Sequence, residues 1–66
     1  MAEQAEDKLR LAGILRERGE TLRRQGHRAQ ARLHMEAALS QFGKLDAVLD
    51  AVDTGQRIKS LTETAA

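Results

Sequence analysis

LRERGETLRRQGHRAQARLHMEAAL, residues 15–39, is the stretch that decides the fold. Leu15, Gly19 and Leu22 recur at steps of four and three, and so do Ala31, Met35 and Ala38. That spacing puts each set on one stripe of a helix. Between the sets stands Gly26, at the point where a helix stops most easily in the left-handed conformation open to a residue without a Cβ. The pattern therefore predicts two antiparallel helices turning at Gly26. Small residues (Gly19, Ala31, Ala38) facing larger ones (Leu15, Leu22, Met35) would let the two backbones approach closely.

Working outward, Leu11 and Ala12 extend the first stripe towards the N-terminus. Glu3, Glu6 and Asp7 lie at its start and arginines towards its end, as the helix dipole favours. These signals predict a first helix over residues 3–25. Leu39 and Phe42 extend the second stripe, and Gly43 offers another stop, giving a second helix over residues 27–41. A third helix is predicted from Lys44, with Asp46 in its first turn and Leu45, Val48, Leu49 and Val52 as its apolar positions. Gly55 can be read two ways. It could end that helix after Asp53 and Thr54. Alternatively Val48, Val52, Gly55, Ile58 and Thr62 keep helical spacing, and the reading adopted runs through to residue 61, with residues 63–66 as a frayed tail. No segment alternates as a strand would. The expected fold is all-α, one domain over residues 1–62, an antiparallel helical hairpin plus a third helix.

Composition narrows the function. The 66 residues include no Cys, Pro, Trp or Tyr, and Phe42 is the sole aromatic. Disulfides and Cys-ligated zinc are excluded. No apolar run approaches the ~18–20 residues of a membrane span, and the acidic start does not fit a signal peptide, so a soluble, cytoplasmic protein is expected. Sixteen large apolar side chains, nine of them Leu, make a small core. For so short a chain burial barely offsets chain entropy, so a homodimer is expected, with Leu45, Val48, Val52 and Ile58 of the third helix in its interface.

Catalytic and metal chemistry find little footing. His27 and His34 are seven residues apart, two turns along a helix, whereas shared metal ligands on a helix stand about one turn apart. Ser40 and Ser60 lack flanking elbow glycines, and Gly43-Lys44 lacks the upstream glycine of a phosphate loop. No metal, no cofactor and no enzymatic activity are expected. Charge is more informative: residues 8–32 carry eight bases and two acids, between two acidic ends, although the net charge is only +1. That middle is either an anion-binding surface or a face neutralised by acidic ends folding back on it. Arg24, Arg28 and Arg32, at four-residue steps, could follow a phosphate backbone, which makes a small nucleic-acid-binding regulator the alternative function.

Residues 12–45, aligned on their glycines, resemble a single tetratricopeptide repeat, a 34-residue helix–turn–helix unit of interaction scaffolds. Leu15, Gly19, Leu22, Gly26, Ala31, Met35 and Ala38 carry the resemblance. Arg18 stands where that family usually has Leu, and Asp53 occupies the small-residue slot of the following helix. The resemblance implies a non-enzymatic protein–protein interaction module. It also implies a peptide-binding surface on the exposed side of the first helix, at Arg16, Glu20, Arg23 and Arg24, with a protein or acidic peptide as partner.

Overall fold

The computed structural model describes the backbone of residues 2–64 and the side chains of residues 6–62. Three helices follow one another: α1 (Ala2–Arg24), α2 (Arg28–Lys44) and α3 (Val48–Thr64). The all-α hairpin with a third helix is the observed architecture. Of the expected tail, residues 63 and 64 belong to α3, and residues 65 and 66 lie outside the described residues. Gly55 is inside α3, which continues past it without a break.

Both turns are built alike. In the first, Gly26 N–H donates to Arg23 O (3.1 Å) and His27 N–H to Leu22 O (2.9 Å), with Gly26 at φ +88°. This paired bonding satisfies carbonyls that the end of a helix leaves open. Twenty residues on, Asp46 N–H donates to Gly43 O (3.3 Å) and Ala47 N–H to Phe42 O (3.0 Å), with Asp46 at φ +57°. The sequence placed the second stop at Gly43 and Asp46 in the first turn of α3. Instead Gly43 is helical, and Asp46 itself takes the left-handed position, which Asp tolerates better than most residues. Ala47 then packs against Phe42, the apolar contact that accompanies such a turn.

This assignment has a direct test. A Cβ built on Gly43 meets no atom within 4 Å, and a helical glycine is worse than alanine by about 0.5–1 kcal/mol. Gly43→Ala is therefore expected to raise the melting temperature by a few degrees. A fall would mean that Gly43 is the left-handed stop after all.

α2 is the central helix, packed against α1 on one side and α3 on the other. Phe42 lies among four alanines, Ala12, Ala38, Ala47 and Ala51, with Leu15 beside them. At the other end Met35, Ala31 and Leu61 form a second cluster, joined by Leu22 and Ile58. Each cluster joins residues from all three helices, so both α1–α2 and α2–α3 run antiparallel. Gly19 marks a close approach of α1 to α2: a Cβ there would lie 2.6 Å from Met35 Cγ and 3.2 Å from the Ala31 carbonyl oxygen.

On α3 the inward face is Ala51, Thr54, Ile58 and Leu61. The slot for a small residue belongs to fully buried Thr54, one position after Asp53. Its hydroxyl donates to Asp50 O at 2.7 Å, so the buried oxygen carries no unmet hydrogen bond. Val48, Leu49 and Val52, on the other side of α3, turn outward.

Candidate functional site

Two kinds of surface stand out: a charged seam between α1 and α3, and exposed aliphatic patches on α1 and on α3.

The seam begins at Arg16, whose guanidinium lies 5.1 Å from the centre of the Phe42 ring. Its Nη1 donates to Asp50 Oδ1 (3.1 Å) and Asp53 Oδ2 (3.3 Å). Arg57 Nε donates to Asp53 Oδ2 (2.9 Å), and its Nη1 lies 3.1 Å from Glu20 Oε1. Arg23 closes the chain through Nε and Nη2, both on Glu20 Oε2 (3.1 and 2.8 Å). Three arginines and three carboxylates thus alternate across the seam. Arg16 Nε is buried with no hydrogen-bond partner, and both of the cation's bonds to the aspartates leave from Nη1 while its carbon lies over the Phe42 ring.

This places the residues expected to hold a peptide. Arg16, Glu20 and Arg23 face α3, and the carboxylates awaited from an acidic partner are supplied at Arg16 by Asp50 and Asp53 of the same chain. The acidic C-terminal part folds back on the basic middle. Arg24 is exposed, with no ion-pair partner among the described residues. Replacing Arg16, Arg23 and Arg24 by Gln would consequently disturb the fold as well as any binding. The four-residue ladder of Arg24, Arg28 and Arg32 is broken, because residues 25–27 form the turn and Arg24 ends α1 while Arg28 opens α2. Arg32 is paired with Glu36 at 3.2 Å.

The Glu20 carboxyl has a shifted pKa in the seam. Burial by itself would raise its pKa, but hydrogen bonds and charge from Arg23 and Arg57 outweigh that and hold it below its ordinary value of 4.5. A carboxylate with a depressed folded-state pKa adds stability at pH above its unfolded value, and that stability is lost as pH falls through the folded value. Melting temperature is therefore expected to be level near neutrality and to drop below about pH 4.5. Glu20→Gln should flatten that drop; an unchanged acid limb in this variant would show that Glu20 does not contribute to it.

The residues expected at the hairpin contact sit between α1 and α2. Gly19, Ala31, Met35 and Ala38 are buried, and Leu15 and Leu22 are half-buried against the two clusters. Those expected at a dimer interface divide. Ile58 packs against the Met35 cluster and Leu45 is half-buried, whereas Val48 and Val52 are 67% and 55% exposed. Leu49, not in that expected set, is 86% exposed. Its signal was present in the sequence, but the phase of α3 had to be known to read it. A second apolar surface lies on α1, where Leu11 and Ile14 are 59% and 46% exposed. With Lys8, Leu15, Arg18 and Gln41 of α2 they line an open cleft of about 500 Å³.

No group of His, Asp or Glu among the described residues is arranged to hold a metal ion, and no described helix is long and apolar enough to cross a membrane. Comparison with known proteins gives no match: no family model, no curated protein and no solved structure is similar to this chain.

Proposed function

We propose that this chain is a non-enzymatic helical interaction module that self-associates, with α3 as a contact surface. The observation that carries the reading is the cluster of Val48, Leu49 and Val52, all more than half exposed within one and a half turns of helix. Single exposed aliphatics are ordinary, but contiguous apolar patches mark interaction surfaces. Core size supports the same reading. Among the described residues only Met35, Phe42 and Leu61 are large apolar side chains in the buried class, each worth about 1.5–3 kcal/mol. A chain with so little interior gains stability from a partner that covers its outward aliphatics.

Sedimentation over a micromolar concentration series tests this. The parent is expected to exceed its 7.3 kDa chain mass and to melt higher as concentration rises. Leu49→Glu with Val52→Glu should return it to a single chain with retained helical dichroism. A parent that stays at one chain, with a concentration-independent melting temperature, would refute self-association.

A further inference from the structure

The two apolar surfaces carry opposite charge. The α3 patch is bordered by Asp46, exposed in the preceding turn, and by Asp53, whose side chain remains 46% exposed despite its bonds to Arg16 and Arg57. The α1 cleft is bordered by Lys8 and Arg18, both exposed and without an ion-pair partner among the described residues. A two-fold pair centred on the α3 patch would bring the acidic border of one copy, Asp46 and Asp53, against the same border of the other. Like charges brought together in this way are unfavourable and work against a wrong partner. Seating the α3 patch on the α1 cleft instead meets acid with base and aliphatic with aliphatic.

We infer that the chain assembles head-to-tail, with Val48, Leu49 and Val52 of one copy occupying the Leu11–Ile14 cleft of the next between Lys8 and Arg18. This rests on the self-association reading above and replaces the closed homodimer expected from the sequence. On α1, Leu11, Ile14 and Arg18 follow at steps of three and four, and so form one stripe. Arg16, Glu20 and Arg23, which face α3, form another. At 3.6 residues per turn the two stripes lie on nearly opposite sides of the helix. A copy seated in the cleft is thus remote from the α3 of its host, and each end of a pair keeps one unfilled surface. Contacts of this heterologous kind propagate into a ring or an open chain, much as repeat units stack by covering each other's apolar faces.

Two blocked variants test the geometry. Leu49→Glu with Val52→Glu closes the α3 patch and leaves the cleft, while Leu11→Glu with Ile14→Glu closes the cleft and leaves the patch. All four positions are exposed, and helical dichroism checks the fold of each. Should the cleft variant fail to fold, Lys8→Glu with Arg18→Glu serves in its place. Each variant alone is expected to sediment as one chain, and an equimolar mixture as a one-to-one pair of twice that mass. The parent should grow beyond two chains with concentration. A cleft-blocked variant that pairs with itself would overturn the head-to-tail arrangement in favour of a two-fold α3 contact, leaving self-association standing. The arrangement also fails if the parent assembles but the mixture does not. A parent that never exceeds one chain would remove both readings.

Discussion

Gly19→Leu is expected to destabilise the protein by about 3 kcal/mol or more, enough to unfold most of a chain this small at room temperature. Insertion into a packed core normally forces neighbours off their rotamers. Here the first added atom already conflicts, since a Cβ would stand 2.6 Å from Met35 Cγ and 3.2 Å from a backbone oxygen of Ala31. Met35 is fully buried, so its Cγ cannot move aside without displacing the rest of the side chain. Three further carbons of leucine have nowhere to go unless α1 and α2 separate. Gly19→Ala should show the same sign at smaller size, its loss offset by the ~1 kcal/mol of helix propensity that alanine gains over glycine. Thermal and urea melts of parent, alanine and leucine variants should therefore fall in that order. A leucine variant that melts like the parent would disprove the close crossing at Gly19.

That crossing was legible in the sequence because it is a local pattern: small and large residues at helical steps, with Gly26 between them. The α1–α2 hairpin needed nothing else. The second turn was less legible. Gly43 carries the usual stop residue, while the position that bends backwards belongs to Asp46, whose left-handed φ has no reliable local marker. Moving the turn by three residues changes which side of α3 faces inward. Ala47, Ala51 and Thr54 then take the core, and Val48, Leu49 and Val52 face solvent. The charged seam could not be read from periodicity at all. Arg16 meets Asp50 and Asp53 across more than thirty residues of chain, and only the placement of α3 beside α1 brings them together. A basic stretch with acidic ends fits either internal neutralisation or an open anion site; the structure shows the former for Arg16, pairs Arg23 with Glu20 of its own helix, and leaves Arg18 and Lys8 exposed at the cleft.

Arg16→Glu is the second change with a large expected effect, a loss of about 2–3 kcal/mol and a melting temperature lower by roughly 10–20 °C. The reversal sets a third carboxylate beside Asp50 and Asp53 and removes the cation from the face of Phe42. Removing one partner of a fully buried pair costs more, about 3–5 kcal/mol. The aspartates here are nearly half exposed, while Arg16 is 20% exposed, and water screens part of the repulsion. Arg16→Met separates the two contributions: it keeps an unbranched chain against Phe42 without the charge, and should lose only about 1 kcal/mol. Adding Asp50→Arg to Arg16→Glu restores opposite signs across the seam and should recover part of the loss. If instead the Met and Glu variants fall equally and the swap recovers nothing, Arg16 acts through its guanidinium on the Phe42 ring of α2 and not through charge across to α3. Amide exchange in α3 should accelerate in the Glu variant, because direct contact between α1 and α3 is made mainly by these charged side chains. A loosened α3 presents Val48, Leu49 and Val52 less rigidly, so the same variant should self-associate more weakly although no contact residue has been touched.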